Sequence, residues 1–294
     1  MRDNKFALGH LAMLAFSILI AGSFALGVQF ANLVDPAAMT AFRFLISGVV
    51  VGTFAVFGPG IKREHLRAPW RYMLLGALFA IYFTLMFEGL KTASAISGSA
   101  VFTLTPIMSA LFGYWLLRQI TTRRMAMALA VGAAGAVWVI FQGDLGAMQR
   151  FEIGRGEVIY FFGCIAHALY TPLVRKLNRG EPIVVFTFGM IVSGCLILSL
   201  ISAPQIIATD WAELPQIFWI GLFYVSICAS SMTFFLLQFA AMQLPSANVM
   251  AYTYLTPTWV IVWQLALGQG APPGIVFLGV GATVVALLML LRRD

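Results

Sequence analysis

Along the chain, stretches of about twenty almost uninterrupted apolar residues alternate with short clusters of charged, Gly and Pro residues. Within the stretches the apolar positions do not alternate with polar ones, as they would on a barrel strand facing lipid and lumen in turn. A bilayer offers the backbone no hydrogen-bond partners, so runs of this length must close their own N–H and C=O groups as helices. Ten such segments can be drawn, at 8–30, 37–57, 70–90, 95–117, 123–141, 156–175, 182–201, 216–239, 246–267 and 272–291. Breakers stand in the gaps, among them Gly58-Pro59-Gly60, Ala68-Pro69, Gly180-Glu181-Pro182 and Ala271-Pro272-Pro273-Gly274. The predicted fold class is an all-α membrane protein of ten transmembrane helices. The first apolar run, about 23 residues after Met1-Arg2-Asp3-Asn4-Lys5, exceeds the hydrophobic region of a signal peptide and is kept as a span.

Composition strengthens this. Of 294 residues, 61% are hydrophobic and only 10% charged, against about 25% charged in soluble domains. Ten spans leave no room for a soluble catalytic domain. The net charge of +7 suggests nucleic acid until its distribution is examined. Fourteen of the eighteen Lys and Arg fall on one side of the membrane: Arg2, Lys5, Lys62, Arg63, Arg67, Arg71, Arg118, Arg123, Arg124, Arg175, Lys176, Arg179, Arg292 and Arg293. Lys91, Arg150 and Arg155 fall on the other, and Arg43 alone lies within a span. The positive-inside rule then places both termini in the cytoplasm and the protein in the cytoplasmic membrane. No nucleic-acid partner is expected.

The chain also repeats itself. Leu104-Thr105-Pro106 recurs as Leu255-Thr256-Pro257 at an offset of 151, which also pairs Phe83 with Phe234, Leu85 with Leu236, Ala100 with Ala251 and Leu116 with Leu267. An offset of 146 pairs Asp35-Pro36 with Glu181-Pro182, Phe42 with Phe188 and Ser47-Gly48 with Ser193-Gly194. Residues 1–150 and 151–294 are therefore expected to be two five-span repeats forming one membrane unit. Five is odd, so the second copy is inserted upside down. Inverted repeats are a device of secondary transporters, whose substrate site lies near the midplane between the copies.

These features resemble one family. Asp35-Pro36…Arg43 looks like its start of span 2, and Ala93-Ser94-Ala95…Leu104-Thr105-Pro106 and Ser246-Ala247-Asn248…Leu255-Thr256-Pro257 like its spans 4 and 9. The family is the drug/metabolite transporter (DMT) superfamily, EamA type, and within it the chain is most similar to YddG-type exporters. That resemblance implies export of small organic metabolites, aromatic and other neutral amino acids and amphipathic drugs, by alternating access. A departure occurs in span 1, where the family often has Trp before Gly-Ser and this chain has Ala21 before Gly22-Ser23. The alternatives are a transporter of another metabolite class in the superfamily, or a channel-like facilitator.

Several residues are candidates for the site. Arg43, about 9 Å inside its span, is either a carboxylate anchor or a structural group paired with Glu88, Asp35 or backbone carbonyls. Glu88 is a proton site or an i,i+3 partner of Lys91. Pro106 and Pro257 are hinge candidates, each freeing a carbonyl one turn earlier, at Phe102 and Thr253, which Thr105 or Thr256 could satisfy. Ser17, Ser23, Tyr82, His167, Tyr170, Asn248, Tyr252 and Trp259 are cavity candidates, since polar-tipped aromatics away from the interfaces bind rings by stacking and hydrogen bonding. Their alternative is ordinary helix packing. Tyr254, Trp263 and Gln238 share that ambiguity, and Gly132-Ala133-Ala134-Gly135-Ala136 reads as a packing surface.

Enzyme chemistry is not expected. Neither H-E-x-x-H nor G-x-S-x-G occurs, and His10, His65 and His167 are far apart in sequence. Cys164, Cys195 and Cys228 sit singly in apolar runs, so no metal, cofactor or disulfide is expected. The predicted partners are a small-molecule substrate and the bilayer, and a monomer suffices.

Overall fold

The computed structural model describes residues 2–150 and 152–291; Arg292 and Arg293, counted above for orientation, lie outside the described residues. Among the described residues every regular element is helical. In order these are α1 (Arg2–Phe30), α2 (Pro36–Phe57), α3 (Trp70–Leu90), α4 (Ala95–Phe102), α5 (Thr105–Leu117), α6 (Arg123–Ile140), α7 (Leu145–Arg150) and α8 (Arg155–Leu177). They continue with α9 (Ile183–Ile201), α10 (Ala203–Ala208), α11 (Gln216–Ser226), α12 (Thr233–Gln243), α13 (Ser246–Ala251), α14 (Thr256–Ala266) and α15 (Val276–Leu291).

Eight of the resulting helical segments are long and apolar enough to cross a membrane, against the ten expected. The other two differ for identifiable reasons. In the ninth, a tight 3₁₀ turn at Tyr252–Leu255 separates α13 from α14. The tenth begins only at Val276, after the Pro272-Pro273 pair, and its 16 residues span about 24 Å, short of a ~30 Å hydrocarbon core. The eighth is continuous from Gln216 to Gln243, but its middle, Ile227–Met232, winds as a π-helix.

Local chemistry sets the starts and stops. Asp35 caps α2, its Oδ1 accepting from the N–H groups of Ala37 and Ala38 at 3.0 Å each, with Pro36 in the first turn where no N–H is needed. Ser94 caps α4 and Thr122 caps α6 in the same way. Large apolar side chains such as Phe54, Phe57, Trp115 and Leu200 point outward, as a surface in contact with lipid requires. A continuous core of aromatic, aliphatic and small residues fills the centre.

The principal packing faces join early helices to late ones. α1 lies on α11, α12 and α14, α2 on α9 and α11, α3 on α8 and α9, α5 on α8 and α13, and α6 on α15. Small residues allow the closest crossings. Where α3 meets α8, a Cβ on Gly89 would lie 2.6 Å from the Gly156 carbonyl oxygen, and one on Gly156 would overlap the Gly89 carbonyl oxygen. Where α6 meets α15 the relation is reciprocal: a Cβ on Gly135 or on Gly279 would lie 2.7 Å from the other's carbonyl oxygen.

Candidate functional site

Arg43 projects from α2 into the centre of the molecule and is fully buried. Its Nε donates to Ser230 Oγ and its Nη2 to the Ala229 carbonyl oxygen at 2.8 Å, both within the π-helical segment. The guanidinium carbon lies 3.6 Å from the Phe83 ring centroid, a cation–π contact of about 2 kcal/mol when desolvated. Nη1 has no partner. Neither carboxylate considered from the sequence reaches it: Asp35 caps its helix, and Glu88 Oε2 accepts from Lys91 Nζ at 2.7 Å. Backbone and hydroxyl oxygens hold the arginine instead. The π-helix is part of the reason, because Ser230 and Ser231 bond back five residues, to the carbonyls of Val225 and Ser226, and Ser47 of α2 donates to the Ser226 carbonyl at 2.7 Å.

Beside the arginine lies a nest of rings. Phe83 stacks on Phe79 with centroids 5.5 Å apart, and Phe79 meets Phe234 at 4.5 Å and Tyr170 at 4.1 Å. Tyr82 lies 4.4 Å from His167, which also touches Phe102 at 5.2 Å. The Tyr82 and Tyr160 hydroxyls are 3.2 Å apart, within hydrogen-bond distance, and Gln238 Nε2 donates to Tyr170 Oη at 2.9 Å. His167 Nδ1 is buried without a partner. Arg43, Tyr82, His167 and Tyr170 thus form one cluster, contributed by α2, α3 and α8, with Phe234 closing it from α12. Tyr160 and Ser230 were not singled out from the sequence.

Pro106 and Pro257 each occupy the first turn of a new helix after a break. Leu104 and Leu255, two residues before them, have nearly the same backbone, φ −81° and ψ −13° against φ −82° and ψ −13°. The carbonyl freed at Phe102 accepts from Thr105 Oγ1 at 2.7 Å. The equivalent carbonyl, Thr253, accepts instead from the Thr256 N–H through the 3₁₀ turn, and Thr256 Oγ1 is left without a partner. The two breaks meet: Thr105 and Thr253 hydroxyls are 3.3 Å apart.

This arrangement of buried rings, a lone guanidinium and two touching helix breaks has relatives. Residues 7–141 and again 154–292 match the model of the EamA-like transporter family. The chain belongs to that family. It is 25% identical to the uncharacterized transporter YyaM of Bacillus subtilis (strain 168), over 95% of this chain and 91% of that protein. An uncharacterized transporter of Synechocystis is 21% identical over 88% of this chain and 82% of its own. A chloroplastic WAT1-related protein of Arabidopsis thaliana is 22% identical over 86% of this chain and 62% of its own. One solved crystal structure superposes with a TM-score of 0.74, covering 99% of this chain and 97% of that one, at 21% identity; this shows a shared fold alone. The protein is a multi-pass membrane transporter, which makes an enzyme unexpected.

The remaining candidates of this EamA-like chain lie away from the central cluster. Trp259 Nε1 donates to Ser17 Oγ at 3.2 Å, and Ser17 in turn donates to the Leu14 carbonyl. The Tyr252 hydroxyl is 3.0 Å from His10 Nδ1. Both pairs tie α1 to the broken ninth segment. Ser23 Oγ and Asn248 Oδ1 are buried without partners, and where the family's span-1 Trp would stand, Ala21 is buried. Instead the Tyr224 ring packs over Gly22 and its hydroxyl donates to the Leu19 carbonyl at 2.8 Å. Glu88 stands apart, paired to Lys91 and partly exposed. Among the described residues no group of three His, Cys, Asp or Glu could hold a metal.

Two polar ties at the ends escaped the sequence reading. Ser97 donates to Glu157 Oε1 at 2.7 Å, joining α4 to the first turn of α8. A cleft of about 240 Å³ adjoins it, lined by Ser94, Ser97, Gln142, Gln264 and Gln269 among others. At the opposite end Arg71, counted above as a connector charge, is buried. Its Nη2 donates to Glu181 Oε1 at 2.5 Å and to the Arg67 carbonyl, and Nη1 to the Leu177 carbonyl at 2.6 Å. Burial works against the Glu181 charge, but the bonds from Arg71 and from the Arg179 N–H outweigh it and hold the carboxyl below its ordinary range. Arg71 therefore caps the C-terminus of α8 while pinning the loop into α9.

Proposed function

We propose that this EamA-like protein is a YddG-type exporter of small organic metabolites, first of all aromatic and other neutral amino acids, with amphipathic drugs as further cargo. It works in the cytoplasmic membrane as ten spans in two inverted five-span repeats, with both termini inside. The observation that carries this reading is the contact of the two helix breaks at Thr105 and Thr253 beside a fully buried aromatic cluster. Breaks at depth are tolerated only within protein or along a cavity, and here Phe102, whose carbonyl Thr105 satisfies, belongs to the cluster of rings with polar tips. The pattern of packing gives further support. Adding or subtracting five exchanges span 1 on span 8 for span 6 on span 3, and span 4 on span 6 for span 9 on span 1; each of these pairs is in contact. Span 2 on 7, 4 on 9 and 5 on 10 map onto themselves, and the reciprocal Gly135 and Gly279 approach lies in the last of these.

In this reading the substrate enters the ring cluster when one set of end ties opens, and leaves when the other does. Ser97 with Glu157 closes the outer end. His10 with Tyr252, and Gln119 Oε1 accepting from the Ser246 N–H at 3.1 Å, close the inner end. Glu88 is held by Lys91 at the periphery, and the central cluster contains no acidic residue. That favours facilitated diffusion over a dedicated proton relay. The deciding experiment is flux of labelled phenylalanine and tyrosine in proteoliposomes of purified protein, with a competition panel. Saturable, competable flux without a pH gradient is expected. Unsaturable flux would indicate a pore, and flux that requires a pH gradient and disappears in Glu88→Gln would overturn the facilitator. Absence of flux for every amino acid would end the substrate assignment.

A further inference from the structure

Among the described residues, Arg43 is a buried cation held by Ser230 Oγ, the Ala229 carbonyl and the Phe83 ring, all uncharged. The acids are committed elsewhere: Glu88 to Lys91, Glu181 to Arg71 and Glu152 to Arg150. On α8, which packs on α3, Glu157 lies one turn before Tyr160 and accepts from Ser97. An unneutralised guanidinium in a dry interior is costly, and two oxygens plus a ring face satisfy only part of it. Nη1 remains open with its two N–H groups. Such a group binds a carboxylate more strongly than any neutral acceptor.

What surrounds the open nitrogen defines the rest of the ligand. The guanidinium rests on Phe83, Phe83 contacts Tyr82 at 4.6 Å, and Tyr82 leads to His167. An anion held at Nη1 would have its organic body among rings, and His167 Nδ1 in the same ring cluster is also unpartnered. No carboxylate in this cluster awaits an ammonium group. We propose that Arg43 anchors the carboxylate of the transported molecule, and that the substrates are aromatic monocarboxylates whose α-amino group is dispensable. This rests on the transporter reading above and narrows it.

The test uses purified wild-type protein and three probes of one skeleton: phenylalanine, 3-phenylpropionate, which lacks the amine, and phenethylamine, which lacks the carboxylate. Binding is read from ligand-induced thermal stabilisation and from inhibition of tracer flux. The two acids should bind within about threefold of each other, and the amine at least about tenfold more weakly, the size expected of a charge-assisted hydrogen bond. Arg43→Lys should retain part of the preference and Arg43→Gln should abolish it. Should Arg43→Gln fail to fold, the wild-type series still decides. Equal binding of phenethylamine and 3-phenylpropionate overturns the proposal, as does failure of both acids to bind, or a full carboxylate preference persisting in Arg43→Gln. The two readings separate cleanly. Stabilisation by 3-phenylpropionate without flux of any amino acid leaves the anchor standing and removes the amino-acid exporter. Flux of phenylalanine with no carboxylate requirement does the reverse.

Discussion

Replacing Gly135 or Gly279 by Ala tests the reciprocal backbone approach between α6 and α15. Each new Cβ would lie 2.7 Å from the opposite glycine's carbonyl oxygen, whereas ordinary contact begins near 3.4 Å, so α6 and α15 must separate locally by about 0.7 Å. The obstacle is backbone and cannot rotate aside. At Gly279 the added carbon also meets Val139 Cγ2 at 2.7 Å, and at Gly135 it meets Ala282 Cβ at 3.0 Å. Trp138 Nε1, which donates to the Ile275 carbonyl at 2.9 Å, holds the start of α15 and resists the shift. Overpacking of this kind costs about 1–3 kcal/mol per site. Gly281, two residues along α15, faces open space, so Gly281→Ala should gain up to about 1 kcal/mol from helix propensity alone. Thermal unfolding in detergent reads the difference: G135A and G279A should melt several degrees below wild type and G281A at or above it. If all three behave alike, the close approach contributes nothing and the argument fails.

Thr105→Val should destabilise by about 1–2 kcal/mol because it strips the hydroxyl from the Phe102 carbonyl, while Thr256→Val, which removes an unpartnered hydroxyl, should be neutral or stabilising in the same unfolding assay. Glu181→Gln should lower the melting temperature at pH 7 by the equivalent of about 3 kcal/mol at most. Because the folded carboxyl is depressed below its ordinary value of 4.5, its contribution is complete above that pH and is lost as pH falls through the lower folded value; the gap between wild type and variant should therefore close on acidification. A gap that is constant from pH 7 to pH 3 would refute the ion-pair account. Glu88→Gln should leave facilitated flux within about twofold of wild type, as befits a partly exposed pair.

The all-helical class and eight membrane-length helices were readable because lipid makes only one demand, and long apolar runs between Gly and Pro clusters meet it openly. The freed carbonyl at Phe102 and its Thr105 partner follow directly from proline chemistry. The ninth segment did not follow: its Thr253 carbonyl is satisfied by a 3₁₀ turn, and nothing in a composition so close to that of the fourth announces the difference. Arg43 was visible as an isolated charge, but its partners lie 186 and 187 residues away in a π-helix, and a π-helix has no apolar periodicity of its own to read. Arg71 misled for the opposite reason, since a charge beside a polar connector looks solvated until Glu181 folds against it. Ser17 and Trp259, named separately as candidates, are one hydrogen-bonded pair, which only the third dimension reveals.

The dominance of contacts between early and late helices bears on how the protein is made. When residues 7–141 have left the ribosome, the surfaces of α3, α2 and α6 that belong against α8, α9 and α15 have nothing to cover them. At about 5–20 residues per second the second matched segment takes roughly 7–30 s to arrive. During that wait Arg43 has no π-helix to hold it, and Gly89 and Gly135 have no partner backbone. The newborn half must be sheltered by lipid or by the insertion machinery, so the joining of both segments in one chain is also a guarantee of prompt, equimolar delivery.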